Sequence, residues 1–164
     1  MTNYICINGK KAELTKEQLK ALGIELPKAN PFERVNKDKI YYSIHGDGIV
    51  HAEREDLYDI DKERFDVGNY CTDKEIMKQR ALHETLNRLL WRYSMEHDRD
   101  KIEWNDRERK YYIYFNHSSM LFEVAWNDGY ENVCAVYFYE ARTAHDAIKE
   151  IIEPFMKEHP DFKW

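Results

Sequence analysis

The chain has 164 residues, 43% of them hydrophobic and 34% charged, and a formal net charge of −6. That size and balance suit one ordinary domain plus a small appendage, with a heavily solvated surface. No run of about 18 apolar residues occurs and residues 1–9 lack the order of a signal peptide, so neither a membrane span nor export is expected.

Cys6, Cys71 and Cys134 are odd in number and far apart, which does not make a disulfide framework; the expected location is cytoplasmic. Charge is shared unevenly. Residues 1–39 carry eight Lys or Arg against five Asp or Glu, leaving the rest of the chain at −9. An acidic body repels phosphate backbones and favours basic partners, so direct duplex binding is not expected.

In chain order, residues 3–8 read as a strand, and Asn8-Gly9 is a tight-turn dipeptide that would return the chain through Lys10 to Leu14. Thr15-Lys16-Glu17-Gln18 is a capping box that starts a short helix, and Gly23 suits a left-handed stop. Residues 1–24 thus form a hairpin-helix module. Residues 25–39, bracketed by Pro27 and Pro31 and without periodicity, read as a linker.

The main domain is expected over 40–164. Ile40 to Ile44 is a strand, Gly46-Asp47-Gly48 a turn, and Ile49 to Arg54 the returning strand. An acidic stretch follows as a loop, and Phe65 to Cys71 is expected as a third strand. Thr72-Asp73-Lys74-Glu75 reads as a second capping box, opening an amphipathic helix to about His97 whose buried stripe runs from Ile76 and Met77 to Leu90 and Tyr93.

A second unit starts with Tyr111 to Phe115, turns through Asn116 to Ser119, and returns over Met120 to Trp126. Asn132 to Tyr139 is its third strand and Thr143 caps its helix. Pro154 should kink or end that helix, leaving Phe162 and Trp164 as a tail.

The two units echo each other. Tyr41-Tyr42 stands 31 residues before Thr72, and Tyr111-Tyr112 stands 32 before Thr143. Short turns force antiparallel pairing, and each helix must cover an apolar sheet face. The expected fold is therefore α+β: two related strand-strand-strand-helix units (40–98 and 110–158) packed together, with the N-terminal module.

Chemistry is sparse. No HExxH, GxSxG, GxxxxGK[ST] or GxGxxG pattern occurs. His45 and His51 could meet across the Gly46–Gly48 turn, but two histidines on a hairpin are read as exposed residues and no metal is assigned. Asp59-x-Asp61-x-Glu63 begins like a calcium loop, yet Arg64 stands where that loop needs glycine. The cysteines all fall in apolar strands, where cysteine behaves as a small buried hydrophobe. No catalytic residue and no cofactor are assigned.

Two groups remain. Residues 53–66 hold seven acids against three bases, and Glu53, Glu55, Asp56, Asp59, Asp61 and Glu63 are the candidate partner-binding acids. Trp104 and Trp126, with Arg107, Arg109 and Lys110 close to Trp104 in sequence, combine cation and flat ring as a stacking site for a nucleotide would. Within this group Trp104, Arg107, Arg109 and Trp126 are the candidate ligand residues.

Three stretches resemble a large group of small proteins encoded by phages and prophages of Firmicutes and related bacteria. They are Tyr41-Tyr42-x-Ile44 through Gly68-Asn69-Tyr70, Trp104-Asn105-Asp106 through Tyr111-Tyr112-Ile113-Tyr114, and the opening Ile7-Asn8-Gly9-Lys10 through Leu22-Gly23. The resemblance covers roughly 40–155 and the N-terminal module, and its motifs are structural. It implies an accessory phage gene, a class that includes antagonists of host defence such as CRISPR inhibitors and sponges for nucleotide signals. The expectation is a non-enzymatic protein, acting in the bacterial host cytoplasm, that blocks a defence effector such as a CRISPR nuclease. A nucleotide sponge and an unrecognised small enzyme are the alternatives. Sheet edges left by the repeated units also allow a homodimer.

Overall fold

The computed structural model describes residues 4–7, 10–23, 30–98 and 108–163, and is divided into two compact units, Met1–Pro31 and Phe32–Trp164. In the smaller unit β1 (Tyr4–Ile7) pairs antiparallel with β2 (Lys10–Glu13), followed by α1 (Lys16–Ala21). The Thr15 box is closed in both directions. The Gln18 amide donates to Thr15 Oγ1 at 3.3 Å, and the Thr15 amide donates to Gln18 Oε1 at 2.8 Å. Gly23 ends the helix at φ +69. The Asn8-Gly9 turn lies outside the described residues.

The larger unit is α+β with two antiparallel sheets. β3 (Ile40–Ile44) and β4 (Val50–Arg54) form a hairpin, with Tyr41 opposite Glu53 and Ser43 opposite His51. α2 (Asp59–Asp66) and α3 (Lys74–Asp98) follow. β5 (Lys110–Asn116) is central in the second sheet, between β6 (Leu121–Asn127) and the two-residue β7 (Tyr137–Phe138). The last helical run is α4 (Ala141–Ala147), a π-helical segment (Ile148–Ile152) and α5 (Glu153–Glu158).

α3 organises the packing. Its Leu86, Leu90 and Tyr93 join Phe138, Ala144, Ala147, Ile152, Phe155 and Phe162 in the main core. Nearer its N-terminus, Met77 and Ala81 meet Ile44 and Cys71 in a second cluster, with Tyr42 and Val50 against it. The β3–β4 hairpin thus lays its Tyr42 and Ile44 face on α3. Alternation turns Tyr41 and Ser43 the other way. No helix among the described residues is long and apolar enough to cross a membrane.

Several elements differ from the expectations above. The acidic stretch is not a loop: its second half is α2. Phe65 to Cys71 is not a strand, for it spans the end of α2 and a turn at Gly68 (φ +73), and its one backbone bridge to β3 is Tyr42–Cys71, beside which the Asn69 side chain bonds the Ile44 amide and carbonyl. The first unit is therefore a hairpin and two helices, so the two halves do not share one strand count. Residues 131–136 are irregular, with Cys134 at φ +66, and β7 is correspondingly short.

Helix starts also shift. Asp73 rather than Thr72 caps α3, its Oδ1 accepting from the amides of Glu75 and Ile76, and α4 begins before Thr143. Pro154 does not end the last helix. It lacks an amide hydrogen and crowds the carbonyl four residues back, and the wider π-helical turn directly ahead of it accommodates both effects. Phe162 is no tail: it is buried against Phe155 and His83. Trp164 lies outside the described residues. Residues 34–39 are bonded to the main unit, through Arg34 to Glu55, Val35 to Tyr70, and Asp38 and Lys39 to the backbone of Glu55.

Candidate functional site

The second face of the β3–β4 hairpin is polar, and α2 covers it with its own polar side. Asp61 is buried at the centre. Its Oδ1 accepts from the Tyr41 hydroxyl at 2.7 Å, and its Oδ2 accepts from the amides of Asp56 and Tyr58, both at 3.1 Å. Arg64, one turn on, donates to the Tyr41 hydroxyl at 2.9 Å and pairs with Glu53 at 3.2 Å. Burial works to raise the Asp61 carboxyl, but Tyr41, the two amides and Arg64 outweigh it and hold the group below its ordinary value. The Tyr41 hydroxyl is pushed up to about 12, by burial first and then by its bond to Asp61.

Glu55 is the other strut. Fully buried, it receives Nε and Nη2 of Arg34 at 3.1 and 2.8 Å, the Tyr70 hydroxyl at 2.9 Å and the Leu57 amide at 3.0 Å. The Arg34 hydrogen bonds, with help from Tyr70 and Leu57, hold its carboxyl low against the opposing effect of burial. The rings of Tyr41 and Tyr70, whose hydroxyls reach Asp61 and Glu55, stack on each other at 4.0 Å.

These bonds fix the backbone of 55–58 in a shape it would not choose. Leu57 sits at φ +62, a region that disfavours a bulky side chain by roughly 1–2 kcal/mol. Leu57 is 58% exposed, and Tyr58 beside it is 68% exposed. Ile60 on α2 and Val67, the residue that caps its C-terminus, are exposed as well, and positions 60, 63 and 67 share one side of the helix. Apolar groups on the outside, held by buried carboxylates on the inside, make a rigidly presented surface.

The six acids therefore have distinct roles. Asp59 and Glu63 are exposed, with Asp66 beyond them; Glu53 and Asp56 are half-buried; Glu55 and Asp61 are internal. Glu53 faces His45 at 2.7 Å as well as Arg64. His45 and His51 do meet, ring on ring at 3.9 Å. Stacked faces do not converge two nitrogens on one ion, and no group of three or more potential ligands is placed to hold a metal among the described residues.

The second candidate group is divided. Trp104 and Arg107 lie outside the described residues. The Arg109 guanidinium lies 4.0 Å over the exposed Trp126 ring, so this protein's own cation covers one face of that indole. Lys110 is not part of a basic surface: it is buried, 3.2 Å from Glu108 and 4.5 Å over the Tyr139 ring. Of the cysteines only Cys71 is buried. Cys6 and Cys134 are exposed, because the strand expected around Cys134 is not formed and Cys6 lies on a two-stranded hairpin.

Two features escaped the sequence reading. Nothing in the sequence singles out Leu57, Tyr58 and Ile60, because their acidic neighbours dominate that stretch. Trp91 is 60% exposed on α3, between Arg88 and Arg92 and off the apolar stripe. Its phase against Leu86, Leu90 and Tyr93 was the available signal. No protein-family model, no curated protein and no solved structure matches this chain.

Proposed function

We propose that this chain is a non-catalytic binding protein that docks α2 and the turn before it onto a protein partner. The observation that carries the reading is the exposed Leu57-Tyr58-x-Ile60 cluster, held over the buried carboxylates of Glu55 and Asp61. A preorganised backbone loses little entropy on binding, and tyrosine flanked by aliphatic groups is a common anchor. Asp59, Glu63 and Asp66 surround the cluster with negative charge, which fits an apolar pocket with a cationic rim. The buried acids are already committed to the fold, which leaves the outer acids for recognition.

The resemblance to phage accessory proteins makes a host defence effector the first partner to try. A nuclease such as a CRISPR effector has a basic groove that an acidic surface can occupy. The test is inhibition of purified effectors by this protein and by Tyr58→Ala/Ile60→Ala, whose changes are at exposed positions. The wild type should inhibit, and the variant should need at least tenfold more protein, since anchor residues each contribute about 2 kcal/mol or more. Equal inhibition by the two proteins would remove α2 from the interface.

A further inference from the structure

Trp91 stands out from α3 between two clefts that share it and Arg88 as a common wall. One, of about 350 Å³, lies between α3 and the β3–β4 turn, with Asp47, Gly48, Thr85, Arg88, Trp91 and Arg92 in its lining. The other, of about 360 Å³, is lined by Glu84, Asn87, Arg88 and Trp91. The turn comes close to the helix because Gly48 has no side chain: a Cβ there would stand 3.2 Å from Thr85 Oγ1, and its φ is +82.

The charges around the indole are loosely paired. Arg88 donates Nε to the Glu84 carbonyl at 3.2 Å and reaches Glu84 Oε2 at 3.4 Å through Nη2, while Arg80 already holds Glu84 Oε1 at 2.8 Å. Arg92 is 4.0 Å from Glu96, with both side chains largely in solvent. Asp47 is turned to its own loop, accepting from the Ile49 amide at 2.9 Å, with His51 at 3.9 Å. Exposed pairs of this length contribute little, so both guanidinium groups can exchange their carboxylate for a better acceptor. A phosphate, which takes two parallel N–H bonds from one guanidinium, is such an acceptor.

We propose that the Trp91 clefts bind a nucleoside phosphate, its base stacked on the indole and its phosphate on Arg88 and Arg92. A flat ring supplies stacking for any base, and two arginines a helical turn apart supply the anion site. The site is on α3, does not use the α2 surface, and does not depend on that reading.

Calorimetric titration of the full chain tests this with adenosine and guanosine monophosphates, their cyclic 3′,5′ forms, the free nucleosides and inorganic phosphate. The expected result is saturable binding of at least one nucleotide, weakened about tenfold or more by Trp91→Ala and largely kept by Trp91→Phe. Arg88→Ala/Arg92→Ala should weaken the nucleotide but not the nucleoside. These positions are exposed, and unchanged circular dichroism and melting will show that the variants fold. No binding up to millimolar concentration, equal binding by Trp91→Ala, or inorganic phosphate binding as tightly as the nucleotide would each overturn the proposal.

Discussion

Asp61 accepts from Tyr41, Asp56 and Tyr58, and Glu55 accepts from Arg34, Tyr70 and Leu57. Removing either carboxylate leaves a buried tyrosine hydroxyl and several part-buried donors without an acceptor, one of the few single-residue changes with a large effect. Asp61→Ala and Glu55→Ala should each lower stability by about 3 kcal/mol, read by urea denaturation. Asp59→Ala and Glu63→Ala, at exposed positions, should change it by less than about 0.5 kcal/mol. The same bonds set a pH dependence. Both carboxyls are held below their ordinary values of 3.8 and 4.5 in the folded chain, so on acidification the unfolded chain takes up these protons first. The stabilisation is complete above those ordinary values and lost as pH falls through the lower folded ones. Melting temperature should therefore drop below about pH 4, and less steeply in Asp61→Ala. Equal loss for buried and exposed acids would contradict the strut assignment.

α2 shows where reading by periodicity stops. Asp59-Ile60-Asp61-Lys62-Glu63-Arg64-Phe65-Asp66 has six charged residues in eight, so no apolar stripe marks it as helix. It packs a polar face, Asp61 and Arg64, onto the polar side of the hairpin, and its electrostatics are favourable, with acids in the first turn and Arg64 in the last. Such a helix is specified by partners distant in sequence, above all Tyr41 and Glu53. By contrast α3, with its regular apolar spacing, and the hairpin turn of 46–48 were legible from local pattern, as was the turn after β5, expected over 116–119 and found over 117–120. The Thr15 cap was legible as it stands and that of α3 to within one residue, because Asp73 and Thr72 are both good caps, whereas α4 is capped at Glu140, three residues before the expected Thr143. The Leu57–Tyr58 presentation depends on Glu55 and Asp61 pointing inward, which composition alone does not encode. Lys62 lies in the middle of α2, exposed, its amide donating to the Tyr58 carbonyl at 3.2 Å. Lys62→Pro should break the helix at a cost of about 3 kcal/mol and abolish partner binding. Hydrogen exchange should show faster amides over 59–66 while those of α3 and β5 stay slow. Unchanged exchange in α2 would argue that the segment is not helical in solution.

For the whole molecule, the acidic charge on residues 40–164 and the small apolar cluster on α2 act together. On the binding function proposed above, long-range attraction brings a basic partner in and the apolar contacts hold it. Raising salt should slow association much more than it speeds dissociation. The most direct test of this account is a hydrogen-exchange footprint of the chain bound to an effector that it inhibits. The account predicts slowed exchange over 55–67, with β5 and β6 unchanged. A footprint on the second sheet or on the N-terminal unit, with 55–67 exchanging as in the free protein, would contradict it.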